Sequence, residues 1–330
     1  MSDNWHDRVF SVKKTGFENL ALEIFRFQYE ANRVYNSYVN TLTIPPSSVD
    51  SIEKIPFLPV SFFKTGEIKT GKFTADVIFE SSGTTQTGKS RHHLKDASIY
   101  TDSFTRGFES LYGKINEWCI IGLLPSYLEK ENSSLVFMVD NLIKMTHHSQ
   151  SGFYLYDFEK LNETLAALES LKQKTLLIGV TYALLDFAEQ FPMSLTHAII
   201  METGGMKGRR EELTRMEVHE RLKKAFDKNE IHSEYGMTEL LSQAYAKREG
   251  RFQCPPWMKV MIRDEDDPLL VQRSEFGIVS GAINIIDLAN VYSCSFIATD
   301  DIGRLYPDES FEVLGRIDGS DLRGCSLLTV

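Results

Sequence analysis

The chain has 330 residues, 42% of them apolar, enough for one large core or two lobes. Its formal net charge of -10, without a long Lys/Arg cluster, argues against nucleic acid or an anionic membrane as the main partner. Residues 1–20 are polar and charged where a secretory leader needs an apolar core, and runs such as CIIGLL (119–124) are too short to span a bilayer, so a cytoplasmic protein is expected.

From the N-terminus, Glu18 to Tyr38 places Leu22, Phe25, Tyr29 and Val34 on one side of a helix. Ile44-Pro45-Pro46 and Ile55 to Pro59 then make an extended, proline-punctuated connection. Residues 1–74 are therefore expected to form a helical segment packing on a core at 75–254, with a third region at 255–330. Ala75 to Phe79 (ADVIF) reads as a strand, and the ESSGTTQTGKSR stretch (80–91) follows it. As a pattern, Gly83, Gly88, Lys89 and Ser90 satisfy the P-loop string G-x-x-x-x-G-K-S/T, in which backbone N–H groups and a lysine cradle phosphates. As composition it is a Ser/Thr/Gly-rich loop (Ser81, Ser82, Gly83, Thr84, Thr85) ending in Lys89, which resembles the phosphate loop of adenylate-forming enzymes. A P-loop must open a packed helix, and RHHLKD (91–96) is too polar for its first turns.

The middle of the chain alternates strand and helix, as parallel pairing requires. Cys119 to Leu124, Thr175 to Val180, Ala198 to Met201 and Ile231 to Tyr235 read as strands. Leu161, Leu165 and Leu168 mark an amphipathic helix, and Tyr182 to Gln190 and Arg209 to Phe226 read as helices. Ligands of such sheets bind at the carboxyl ends of strands, where Thr203-Gly204-Gly205 and Tyr235-Gly236 fall, and adenine is expected between these two loops. After Pro255 short runs (Lys259 to Arg263, Pro268 to Val271, Gly277 to Ile283) suggest a β-rich lobe.

Three later segments suit a bound nucleotide. SEYGMTE (233–239) supplies a glycine for close backbone approach, the Thr238 hydroxyl for a phosphate oxygen and the Glu239 carboxylate for Mg²⁺. ATDDIGRL (298–305) offers Asp301 to both ribose hydroxyls, or else is an Asx-type turn. GRIDGSDLRG (315–324) places Arg316 on an exposed turn. Cys119, Cys254, Cys294 and Cys325 contain no C-x-x-C pair, so neither a zinc site nor a disulfide framework is indicated. His147-His148 either helps position a carboxylate substrate or is a polar turn.

Phosphate loop, YGMTE, TDDIGR and GRID occur in an order that resembles the core motifs of the adenylate-forming acyl and aryl ligases. Within that superfamily the chain looks most like the LuxE-type acyl-protein synthetases, the fatty-acid ligase component of the reductase in bacterial bioluminescence. The likeness extends over IPFLPVSFFK (55–64), LPSYLEKENSSLVFMVDNLI (124–143), METGGMKGRR (201–210) and RGCSL (323–327). The resemblance implies a layered α/β fold with ATP and Mg²⁺ as cofactors. It also implies activation of a fatty or other carboxylic acid, with transfer to a partner protein such as an acyl reductase. Ser82, Thr84, Thr85 and Lys89 would hold phosphates, Glu239 the metal, and Asp301 with Arg316 the ribose. Because the sequence stops soon after GRID, the mobile C-terminal domain of acyl-CoA ligases is expected to be absent, and Cys325 becomes the implied acyl acceptor. Arg323 beside it would favour a thiolate over the free value of about 8.5. Two departures from the ligase pattern stand out. Asp300 replaces the glycine common before the ribose-binding aspartate, leaving Asp300 and Asp301 as alternatives, and Gly88 replaces the proline common before the lysine. A phenylacetate-type CoA ligase, a P-loop NTPase and a non-catalytic nucleotide-binding scaffold are the competing readings.

Overall fold

The computed structural model describes residues 4–81, 88–124, 132–155, 157–204, 213–272, 274 and 277–317. The chain divides into two compact units. Among the described residues the first takes those up to 104, then 237–243 and 253–317, and the second takes 105–236 and 244–252.

In the first unit the N-terminal helices and the C-terminal strands share one core. Helix Phe17–Ala31 ends at Asn32, and a second helix, Arg33–Thr41, follows. The single helix expected over 18–38 is broken here because Asn32 is an N-cap, its side-chain oxygen accepting from Tyr35 N at 3.0 Å while its amide donates to Ser293 O at 2.9 Å. The kink turns Tyr35 inward, while Val34, expected on the apolar face, is only half-buried. Phe25, Tyr35 and Phe57 gather around Phe296, with ring centroids 6.1–6.3 Å apart. Gln28, fully buried, donates to Asn290 O and Val291 O and accepts from Ser295 N. These bonds satisfy both ends of the buried Gln28 amide.

The strands of this unit run antiparallel in the order Val271–Gln272, Met258–Arg263, Val279–Asp287, Phe296–Leu305, Phe311–Arg316, with Leu58–Pro59 added parallel to Phe296–Leu305. Most of Pro268 to Val271, expected as a strand, is instead a turn, in which Leu270 N bonds Asp267 O and Asp264 N bonds Leu270 O. The turn reading of DDIGR also fails, because Asp300 to Leu305 lie within a strand. Gly303 is required there by packing, since a Cβ would fall 2.6 Å from Glu312 O of the neighbouring strand.

A separate hairpin pairs Val77–Glu80 with Arg91–Leu94, antiparallel. The second unit is a parallel sheet in the order Gly152–Phe153, Cys119–Leu123, Thr175–Val180, Ala198–Thr203, His232–Tyr235, closed by antiparallel Ala244–Ala246. Cys119–Leu123 and Thr175–Val180 are buried at every position, which explains why they read as unbroken apolar runs. Leu161, Leu165 and Leu168 are buried on helix Phe158–Ser170, and helix Thr181–Gln190 matches its expected span. Helix Arg215–Phe226 starts six residues later than expected, at a capping box formed by Thr214 and Glu217. Among the described residues no helix is long and apolar enough to cross a membrane.

Candidate active site

The hairpin decides between the two readings of the glycine-rich loop. A P-loop lies between a strand and the helix it opens, whereas this loop joins two antiparallel strands, with the next helix, Ala97–Tyr112, starting only after Leu94. The P-loop match is therefore accidental, and no helix N-terminus follows Lys89 to receive a phosphate. At the base of the loop Ser81 N donates to Ser90 O and Ser90 N donates to Ser81 Oγ, both at 3.0 Å. Gly88 has φ +89°, a backbone state closed to proline, which accounts for the glycine before the lysine. Lys89 is exposed and bridges to Glu80 at 3.0 Å across the hairpin. Ser82, Gly83, Thr84 and Thr85 lie outside the described residues, as do Gly205 and Cys325.

Residues 237–243 run beside the hairpin in the same unit. The His92 ring donates from Nδ1 to Thr238 O at 2.8 Å, and Asn290 Nδ2 donates to Glu239 O, also at 2.8 Å. Asp287 then accepts from Leu241 N, Ser242 N and Ser242 Oγ at 2.6–3.0 Å. Trp257 Nε1 and Ser103 complete that cluster around Ser242. Thr238 is half-exposed and Glu239 buried. Desolvation pushes Asp287 up to about 6, against four hydrogen bonds, the fourth from Ala289 N, that favour its charged form, and it pushes the fully buried His92 down to about 4. No local pattern marks His92, Asp287 and Asn290 as the residues that hold this segment, because their partners lie roughly 50 to 150 residues away in the chain.

Asp301 and Arg316 face each other in register on adjacent strands. Arg316 bridges both candidate aspartates, Nη2 to Asp300 Oδ2 at 2.9 Å and Nε to Asp301 Oδ1 at 3.4 Å. Asp301 is the buried one and Asp300 is half-exposed. Nearby Arg263 is buried and spends its guanidinium on Ile283 O, Asn284 Oδ1 and Thr299 O. Arg316 thus belongs to a paired strand rather than to an exposed turn.

In the second unit, Thr203, Gly204, Tyr235 and Gly236 share the carboxyl edge of the parallel sheet, as expected, with Thr203 in register with Glu234. Thr181 Oγ1 fixes Gly204 O at 2.8 Å, and Thr203 Oγ1 donates to Glu234 Oε2 at 2.5 Å. Two buried carboxylates meet in this layer with opposite fates. His219 and Arg215 hold Glu202 low against the desolvation of its site, while desolvation and the Glu202 charge push Glu234 up to about 7. A raised folded value means that stability present below the unfolded value is lost as pH rises through 7. Glu234→Gln keeps the acceptor for Thr203 and removes the proton. Urea titrations at pH 5 and pH 8 are therefore expected to show a smaller pH-dependent loss in the variant, by on the order of 3 kcal/mol; equal losses would count against the assignment.

His147 and His148 occupy a turn. His147 ends helix Ser134–Thr146 in a left-handed conformation, and His148 exchanges bonds with Thr146 and Gln150. This turn precedes Gly152–Phe153, which pairs in parallel with Ile121 and Gly122, and its bonds match the polar-turn reading of the pair. Cys119 and Cys294 are enclosed, burial pushing their thiols up to about 11 and about 12, and Cys254, partly open but densely surrounded, is raised likewise to about 12.

Similar folds are found in ATP-bound MatB from Rhodopseudomonas palustris (16% identity, TM-score 0.55, covering 74% of this chain and 49% of that one). O-succinylbenzoate coenzyme A synthetase (MenE) from Bacillus subtilis, in complex with ATP and magnesium, is another (16%, TM-score 0.51, 76% and 53%). A third is the long-chain-fatty-acid-CoA ligase FadD1 from Archaeoglobus fulgidus (14%, TM-score 0.51, 73% and 51%). The chain spans about half the length of these solved structures. No curated protein sequence matches. The fold is therefore that of the large α/β domain of adenylate-forming enzymes. Residues 9–329 match the family described as "Acyl-protein synthetase, LuxE", and the chain belongs to that family.

Proposed function

We propose that the protein uses ATP to activate a carboxylic acid, a fatty acid in the first instance, and passes the acyl group through its own cysteine to a partner protein. The observation that carries this reading is that the strand leaving the glycine-rich loop is hydrogen-bonded to Thr238, next to Glu239. That bond supports grouping a loop suited to phosphates and a carboxylate suited to a metal in one site. Thr238 and Glu239 offer oxygen donors, and no cluster of three His, Cys, Asp or Glu occurs among the described residues. That donor set fits Mg²⁺, which takes one or two carboxylates and completes its shell with phosphate oxygens and water. When bound, Mg²⁺ neutralises charge on the phosphates.

Ser82, Thr84, Thr85 and Lys89 hold the phosphates, and Asp301, kept in place by Arg316, accepts the ribose hydroxyls. The substrate carboxylate oxygen attacks the α-phosphorus and pyrophosphate leaves. The Cys325 thiolate then attacks the acyl carbon, AMP leaves, and the thioester hands its acyl group to a cysteine of a partner such as an acyl reductase, in the cytoplasm. Lys89 is released from Glu80 to meet the phosphates, so the exposed ion pair exchanges one anion for another at little cost.

ATP–pyrophosphate exchange with purified protein, Mg²⁺ and a panel of acids tests the reading. Exchange that depends on long-chain fatty acids is expected. Orthophosphate release, or no exchange with any acid, would overturn it, and AMP release driven by coenzyme A alone would replace the protein acceptor with the cofactor thiol.

A further inference from the structure

Resting on the nucleotide reading above, we propose that His92 is the positioning residue that ties the Thr238–Glu239 backbone to the hairpin strand Arg91–Leu94. His92 stands on the same strand two residues after Ser90, which pairs with Ser81 at the base of the hairpin loop. A carbonyl oxygen only accepts, so the 2.8 Å contact with Thr238 O fixes the ring as the Nδ1–H tautomer. The ring is fully buried and meets the edge of Phe63 at 5.8 Å between centroids, an arrangement that limits its rotation. Its Nε2 is enclosed beside the side chain of Asn290, the residue that also holds Glu239 O. Leu or Phe would fill the same space without either polar contact. What the imidazole supplies, and those side chains do not, is the N–H aimed at Thr238.

The rest of the segment is held from another direction. Asn290 takes Glu239 O, and Asp287 takes Leu241 and Ser242, all from the region between strands Val279–Asp287 and Phe296–Leu305. The β-lobe therefore fixes where residues 239–242 lie, and His92 fixes the Thr238 end against the hairpin strand. The residue touches neither phosphate nor metal in this scheme; it acts through Thr238.

Three variants test this in the full-length protein: His92→Leu, His92→Asn and His92→Gln. Asn places its amide nitrogen near the position of ring Nδ1, and Gln displaces it by one methylene. Calorimetry measures binding of Mg·α,β-methylene-ATP, exchange assays give KM for ATP and for the acid, and urea unfolding gives the midpoint. His92→Leu is expected to weaken nucleotide binding and raise the ATP KM by about tenfold or more, with the acid KM within about twofold of wild type, and His92→Asn is expected to restore most of the loss. If His92→Leu does not fold, the comparison of Asn with Gln decides, with Gln expected to be the weaker. Wild-type behaviour in Leu, equal loss in Asn and Gln, or parallel changes in both KM values with a lowered midpoint would each overturn the proposal. Wild-type protein that binds no Mg·ATP analogue would instead remove the nucleotide reading, and this inference with it.

Discussion

Glu239→Gln is expected to lower ATP–pyrophosphate exchange by at least about 100-fold while leaving the unfolding midpoint close to wild type. Gln has the volume of Glu, and the main-chain bond from Asn290 to residue 239 does not depend on the side chain, so the segment keeps its place. Only the charge is lost. In a buried position a full negative charge on a metal ligand is worth several kcal/mol, and about 1.4 kcal/mol corresponds to each tenfold. The measurement is exchange at saturating Mg²⁺ and acid, with the midpoint as control. A loss under tenfold would show that Glu239 does not serve the metal, and a collapsed midpoint would make it a structural carboxylate.

Cys325→Ser is expected to separate the two half-reactions. Exchange should remain within about twofold of wild type, because the serine hydroxyl does not change the adenylation site, while stable labelling by an alkyne fatty acid disappears. The other thiols do not take over. With values raised to about 11 and 12, Cys119, Cys254 and Cys294 are thiolates to roughly one part in ten thousand or less at pH 7. In-gel fluorescence with and without hydroxylamine reads the outcome, and unchanged labelling in the variant would move the acceptor elsewhere.

The parts of the fold that were legible in the sequence are those where one local rule dominates. Strands such as Thr175–Val180 are buried on both faces and so appear as continuous apolar runs, and the glycines after Thr203 and Tyr235 mark the carboxyl edge where such strands end. The hairpin was half legible. ADVIF announced its first strand, but RHHL, three-quarters polar, carries no strand signal, and its burial depends on a partner 146 residues away. Polarity was enough to reject a helix after Lys89 but not to predict the strand that replaces it. The break at Asn32, the Gln28 seam and the Asp287 cluster escaped for the same reason: a buried polar side chain looks like a surface residue until its distant partner is known. The choice between Asp300 and Asp301 could not be made from DDIG, since both carboxylates reach Arg316, and only the register of the strands separates a buried aspartate from a half-exposed one.

The ion pair between Glu80 and Lys89 has a bearing on selectivity among anions. In a chain of net charge -10, a lone lysine on an open loop would attract any small polyanion in solution. With Glu80 as an internal competitor at 3.0 Å, an incoming anion must displace a carboxylate before it gains the lysine. On the proposed reading a single phosphate or a sulfate has little else to gain, whereas a triphosphate would also engage the metal and further loop residues. Inhibition of ATP–pyrophosphate exchange is then expected to be weak for free phosphate and stronger for pyrophosphate.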